Sequence, residues 1–344
     1  MKILECGGQR EVVVERADRT AEQVRATLAG QTLAILGYGT QGRAQALNLR
    51  DSGYEVILGL RNGPSFDLAC QDGWQPGYNL LTLDAAADRG MIIFYLLSDA
   101  GQKEHWPALL PRLTPGKTLV FAHGFSIVYQ QQTGVVPPPH VDVLLVAPKG
   151  SGTTLRRGFV TGEPLNVGYA VHQDHSEQAL ERCLALCHAI GTGNAFATTL
   201  QREVICDLVG ERGSLLGAIY GMWLAQYEVL RDHGHSAIEA FSETVEEATQ
   251  SLYPLIAEKG IDWMYAHCST TAQRGALDWF RRFRDVLRPV FEELYREVAA
   301  GKEAQRALAT NSQPDYREQL ARELAEIADS EMWTTGRLVR GLRP

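Results

Sequence analysis

Residues 32–42, TLAILGYGTQG, decide the reading of the N-terminal half. An apolar run enters the turn Gly37-Tyr38-Gly39-Thr40-Gln41-Gly42, and a helical segment, Gln41–Ser52, follows it. A short apolar run bounded by glycine suits a parallel strand buried on both faces. Gly37 makes the tight turn, Gly39 lets backbone approach a pyrophosphate, and Gly42 lets helix and sheet pack closely. The helix N-terminus offers amides and the positive end of its dipole to phosphate. In this strand–turn–helix context Gly37, Tyr38, Gly39, Thr40, Gln41 and Gly42 are candidate dinucleotide-binding residues.

Working outward, residues 55–60, 91–97, 118–122, 141–147 and 166–171 read as further buried strands separated by helical stretches. That alternation predicts a Rossmann-type, doubly wound parallel sheet. Beyond residue 199 the pattern becomes helical, over 214–232, 237–259, 276–300 and 316–328. The expected organisation is an α/β NAD(P)-binding domain, 1–198, followed by an all-helical domain, 199–344, for metal, substrate and dimerisation. A chain of 344 residues can build two such cores. The net charge of −8 argues against nucleic acid or an anionic membrane as partner. No apolar run of about 20 residues predicts a membrane span, and without a basic, apolar, small-residue opening no secretory signal is expected. The six cysteines are scattered; even Cys183 and Cys187, at helical spacing, read as buried hydrophobes of a reducing, cytoplasmic setting.

An acid usually ends the second strand where NAD is selected, holding the ribose 2′-hydroxyl. Here that strand runs into Arg61-Asn62-Gly63-Pro64-Ser65. Arg61 and Ser65 suit a 2′-phosphate, so NADPH is expected, while nearby Asp67 leaves NADH open. In the helical half Glu203, Asp207 and Glu211 recur every four residues, and Glu243 and Glu247 repeat the spacing. Stacked carboxylates repel one another on a helix face unless a cation is bound. A few hard oxygen ligands suit Mg²⁺. His123 and Lys149 each follow a predicted strand, at the carboxyl ends where open α/β sheets bind ligands.

The stretches GYGTQGRAQALNLRDSG (37–53), GLRNG (59–63), FAHGF (121–125), VAPKGSGTTLRR (146–157) and DLVGE (207–211) together resemble ketol-acid reductoisomerase, also called acetohydroxy acid isomeroreductase. The similarity spans nearly the whole chain, and the length resembles the short, class I form, whose helical domain is knotted in the family. The resemblance implies Mg²⁺-dependent alkyl migration in 2-acetolactate or 2-aceto-2-hydroxybutyrate, a 2-hydroxy-3-keto acid, followed by NAD(P)H reduction, on the route to valine and isoleucine. It implies His123, Lys149 and Glu203 as active-site residues and Asp207, Glu211, Glu243 and Glu247 as ligands of two Mg²⁺ ions. Glu243 and Glu247 would come from the partner subunit of a homodimer or higher oligomer. Ser269 would bind substrate, and Asp99, Gln102 and Gly152 would join Arg61 and Ser65 at the cofactor.

The chain departs from the family pattern in places. Pro64 and Phe66 stand at the family's two serines, Ala100 replaces an acid, Thr153 a histidine and Arg212 a glutamine, and Gln273-Arg274 interrupts the serine segment. Two rivals follow: a divergent paralogue acting on another 2-keto or 2-hydroxy acid in specialised metabolism, and a non-catalytic NAD(P)-binding module.

Overall fold

A computed structural model describes residues Met1–Arg343, which divide into two compact units, Met1–Val204 and Ile205 onward. The first unit is built on a sheet of ten strands among the described residues. They are β1 Lys2–Cys6, β2 Gln9–Val14, β3 Leu33–Leu36, β4 Val56–Gly59, β5 Leu80–Leu81, β6 Ile92–Tyr95, β7 Thr118–Phe121, β8 Asp142–Pro148, β9 Val167–Gln173 and β10 Ala195–Ala197. Their order is β1-β2-β10-β9-β8-β7-β6-β3-β4-β5. The neighbours from β5 across to β8 all pair in parallel. This run is the Rossmann order, with the strand sequence reversing between β3 and β6 and leaving a crevice at their carboxyl ends.

Both faces of the central strands are dry, as their unbroken apolar runs require. Leu33, Ile35, Ile92, Phe94, Leu144 and Val146 pack on one face, and Ala34, Leu36, Ile93, Tyr95, Val143 and Leu145 on the other. All of them are fully buried. Each large apolar side chain among them contributes about 1.5–3 kcal/mol relative to exposure.

The edge beyond β8 differs from the all-parallel expectation. β9 returns antiparallel to β8, β10 lies parallel to β9, and β2 pairs antiparallel with β10. Periodicity reports which residues are buried but not strand direction; the helix Gly152–Thr161 lies between β8 and β9. The β1–β2 hairpin closes with Cys6 opposite Gln9. Gly7 and Gly8 supply the positive φ angles, 57° and 76°, that a two-residue turn needs.

At the amino end of β8 the Asp142 carboxylate is 1% exposed and fully engaged. It accepts from His175 N at 2.8 Å, Ser176 N at 2.9 Å and Ser176 Oγ at 2.7 Å. Arg182 closes the pair and also donates to Thr118 Oγ1 at 2.9 Å. This buried network joins the sheet to the helix Ala179–Ala189.

The second unit contains no strand among the described residues. Tyr227, Ala240, Phe241, Val245 and Met332 form its buried cluster, with Trp223 and Trp333 packed against it. Gly336 permits this packing, since a Cβ there would sit 2.5 Å from Phe241 Cζ. The expected helix over 237–259 is interrupted by wide π-turns, Ser242–Glu246 and Ala248–Leu252. The helix Thr270–Ala299 is 30 residues long, and it leaves Trp279, Phe283, Val286 and Val290 between 54% and 71% exposed.

Removing one member of a buried ion pair strands the other. Asp142→Ala is therefore expected to destabilise the protein by about 3 kcal/mol, read as a lower urea midpoint with an unchanged m-value.

Candidate active site

The glycine turn holds its shape by close approach. Gly37 has φ 106°, and a Cβ there would lie 2.5 Å from the Leu96 carbonyl oxygen just past β6. A Cβ on Gly42 would lie 2.3 Å from the Gly37 carbonyl oxygen. Gly39 is different: its backbone is extended, at φ −73° and ψ −166°, and a Cβ would meet nothing within 4 Å. The space above Gly39 thus faces the first turn of the helix Thr40–Asp51, which has no side-chain cap. Uncapped amides beside an open approach fit the phosphates of a dinucleotide. Gly152 seats a second helix here, because its Cβ would fall 1.9 Å from the Thr40 carbonyl oxygen. Gln41 Nε2 ties the two by donating to Gly150 O at 3.0 Å.

A polar scaffold lies behind the turn. Tyr38 is buried and donates its hydroxyl to Asp72 Oδ2 at 2.8 Å, while Trp74 Nε1 donates to that hydroxyl at 2.9 Å. Arg43 holds the same carboxylate with two bonds of 2.7 and 2.8 Å. Arg43 keeps the Asp72 carboxyl below its usual range. Burial, followed by the hydrogen bond to Asp72, pushes the Tyr38 phenol well above its own. The Tyr38 side chain thus braces the turn, and its backbone stays within it. A cavity of ≈ 580 Å³ adjoins the turn, lined among others by Gly39, Thr40, Arg43, Leu47 and Gly152. Arg43, Asp72 and Trp74 carried no sequence signal, since their link to Tyr38 spans up to 36 residues.

At the tip of β4 Arg61 is exposed and lies 3.3 Å from Glu104 Oε2. Ser65 sits exposed in the first turn of the helix Pro64–Gln71. Asp99 opens the helix Asp99–Leu109. Gln102 is buried there, donating to Tyr95 O at 3.1 Å and Leu97 O at 3.0 Å, so its side chain fixes the end of β6.

The carboxyl ends of β7 and β8 carry His123 and Lys149, and the structure brings both to Glu203. His123 Nδ1 lies 3.4 Å from Glu203 Oε2, and Lys149 Nζ lies 3.7 Å from Glu203 Oε1. The Glu203 side chain is 3% exposed. Gly124 lets its helix come this close, because a Cβ there would be 3.0 Å from Leu200 Cγ. A buried carboxylate needs charged or donor partners. Glu203 Oε2 has the His123 ring beside it but no hydrogen-bond partner among the described residues. It is an oxygen acceptor with capacity for a further ligand.

Asp207 follows Glu203 by one turn on the continuous helix Leu200–Gly210. The backbone stays helical as far as Gly210, at φ −61°, ψ −49°. Glu211 opens a π-turn, Glu211–Leu215, in which Gly213 leaves helical geometry at φ −88°, ψ −130°. Such wide turns are frequent at functional sites. All-carboxylate donors, few in number, fit Mg²⁺.

Glu243 and Glu247 are exposed and join no cluster of three or more potential metal ligands among the described residues. Glu246 is distinguished from them by its partner, since Arg343 holds it with bonds of 2.8 and 2.7 Å. Ser269 is exposed and caps the helix Thr270–Ala299, accepting from Ala272 N at 3.2 Å.

Residues 27–195 match the family model described as acetohydroxy acid isomeroreductase, NADPH-binding domain. Residues 200–344 match ketol-acid reductoisomerase, C-terminal domain. The chain is 54% identical over 345 residues to the mitochondrial ketol-acid reductoisomerase of Neurospora crassa, covering 100% of this chain and 86% of that protein. It is 53% identical over 345 residues to the ketol-acid reductoisomerase (NAD(+)) of Desulfosudis oleivorans, covering 100% and 98%. A solved structure of an NADH-preferring ketol-acid reductoisomerase from an uncultured archean aligns with TM-score 0.83 at 29% identity, over 96% of this chain and 99% of that one.

The glycines of the turn separate by experiment. Gly39→Val is expected to keep the thermal midpoint while weakening NADPH and NADH binding about tenfold or more, measured by fluorescence titration, because its side chain fills the phosphate approach. Gly42→Ala, which collides with backbone, is expected to lower the midpoint.

Proposed function

The chain belongs to the ketol-acid reductoisomerase family, and we propose that it converts 2-acetolactate or 2-aceto-2-hydroxybutyrate into the 2,3-dihydroxy acid of branched-chain amino acid biosynthesis. It is an NAD(P)H-dependent enzyme. The observation that best supports the specific reading is the Glu203 carboxylate between Lys149 and His123 at two strand ends.

When bound, two Mg²⁺ ions acidify the substrate hydroxyl and polarise its ketone, and the nicotinamide supplies hydride. Asp207 and Glu211 would hold the metal, and in a homodimer the Glu243 and Glu247 positions of a second copy would complete its ligands. Glu247 takes the hydroxyl proton, and the alkyl group then migrates with its bonding pair to the neighbouring carbonyl carbon. Lys149 stabilises the oxygen charge that develops, an effect strengthened where water is excluded. Glu203 keeps the Lys149 ammonium aimed, and His123 orders water and cofactor. Ser269 contacts substrate. At the cofactor, Gly37 to Gly42 hold the phosphates, Gly152 lies near the nicotinamide end, Asp99 and Gln102 belong to a further contacting loop, and Arg61 and Ser65 receive the adenosine end. NADPH is the expected reductant on Arg61 and Ser65, with NADH kept open by Asp67 and by the departure from the family's serines at Pro64 and Phe66. We keep the division at 198/199 between cofactor-binding and helical domains.

A homodimer is the minimum assembly. The exposed stripe Trp279, Phe283, Val286 and Val290 recurs at i, i+4, i+7 and i+11, a one-sided face that a second copy would bury. We place the chain in the cytoplasm on its free cysteines; the Neurospora relative is named mitochondrial, and cell fractionation decides between the two. No helix among the described residues is long and apolar enough to cross a membrane.

A coupled assay with 2-acetolactate, with and without Mg²⁺ and with each nicotinamide, tests the activity. Asp207→Asn is expected to abolish isomerisation and reduction together; isomerisation surviving in the variant refutes its role as shared ligand. Turnover of 3-hydroxy-3-methyl-2-oxobutyrate but not 2-acetolactate overturns the reaction assigned. For the assembly, Phe283→Asp with Val286→Asp is expected to shift sedimentation from dimer or larger to monomer.

A further inference from the structure

We propose that Glu303 acts as the counterion of Arg212, screening a built-in cation from the divalent metal held by Glu211. The inference deepens the Mg²⁺ reading above and rests on it. Arg212 immediately follows a proposed metal ligand, and its guanidinium stays close to it, with Nη1 3.5 Å from Glu211 Oε2. The same nitrogen donates to Leu208 O at 3.4 Å, so the group is bound down across the start of the π-turn. An unneutralised guanidinium at this distance repels a dication and competes for the Glu211 oxygens.

Glu303 meets that charge directly. Its Oε2 accepts from Arg212 Nε at 2.6 Å, and its side chain is only 17% exposed. It is also fixed in place. Glu303 stands in the first turn of the helix Lys302–Asn311, where a negative charge is favoured by the helix dipole. Ala304 and Leu308 anchor that helix in the core. Arg306 grips the other Glu303 oxygen and reaches Glu297 as well. The result is a row of alternating charge, Glu211, Arg212, Glu303, Arg306 and Glu297, that ends on the metal ligand. Glu303 is a positioning residue: it acts through Arg212 on Glu211 and touches neither metal nor substrate.

Isothermal titration with MgCl₂ alone, without substrate or nicotinamide, reads the effect apart from turnover. Glu303→Gln is expected to weaken Mg²⁺ binding about tenfold, within the range seen when partners of metal ligands are removed. Its defect should shrink between low and high ionic strength, because the uncovered charge is then screened. Arg212→Gln/Glu303→Gln should bind Mg²⁺ within about twofold of Arg212→Gln, since the cation needing a counterion is gone. Thermal melts report whether each variant is folded. If Glu303→Gln does not fold, Glu303→Asp, with the charge retained but withdrawn, is expected to give a smaller loss that Arg212→Gln again cancels. Wild-type affinity in Glu303→Gln, or a double variant as weak as the single, overturns the proposal; a change in melting point without a change in Mg²⁺ affinity marks a structural tie only and overturns it too. Absence of Mg²⁺ binding by the wild-type protein removes the metal reading itself. Binding that is lost in Asp207→Asn but unaffected in Glu303→Gln removes this inference alone.

Discussion

A carboxylate buried to 3% exposure between a lysine and a histidine is the constraint on which the geometry of the candidate site depends. Glu203 cannot be placed there alone, because an unpaired charge in a dry environment costs several kcal/mol. Its partners come from the carboxyl ends of β7 and β8, so the parallel order of those strands must be right before the pairing can form. The Glu203 helix needs a gap over β7, and Gly124 provides it. One acid thus links a local glycine, two strand ends and the start of the carboxylate series that continues to Asp207.

The cofactor turn obeys a different constraint, steric and short in range. Gly37 and Gly42 are fixed by backbone contacts that leave no room for a side chain, whereas Gly39 is open to its surroundings. The three glycines of one motif therefore divide into two that build the turn and one that leaves space for phosphate. Tyr38, Arg43, Asp72 and Trp74 then brace the turn from behind through charged and phenolic hydrogen bonds. Bonds to an ionised group are roughly twice as strong as neutral ones, which suits a turn whose glycines lack side chains to hold it.

The acidic positions of the helical unit show what spacing alone leaves open. Glu203, Asp207 and Glu211 share a period of four, and the helix gives way to a π-turn only from Glu211, with its break at Gly213. Glu243, Glu246 and Glu247 look interchangeable in the sequence apart from helical phase. The structure separates them, because Arg343, about a hundred residues away, takes Glu246. Arg61 reads as a phosphate-binding cation, and the structure adds exposed Glu104 beside it. For Glu246 and Arg61 the sequence named the group and the fold supplied a distant partner.

The amino-acid sequence by itself determined the alternation of buried strands and helices, the strand–turn–helix glycine motif, the change to helix beyond residue 199 and the family. These are written in steric preferences and periodicities that act over a few residues, or in motifs short enough to be compared directly. Only the tertiary structure decided that β9 turns back antiparallel, that Lys149 and His123 converge on Glu203, and that Arg212 is matched by Glu303. Those pairings join residues tens of positions apart, and no local preference specifies them. They exist because burial of the sheet core fixes strand order and helix packing first, and charged side chains then settle beside whichever opposite charges that packing has brought within reach.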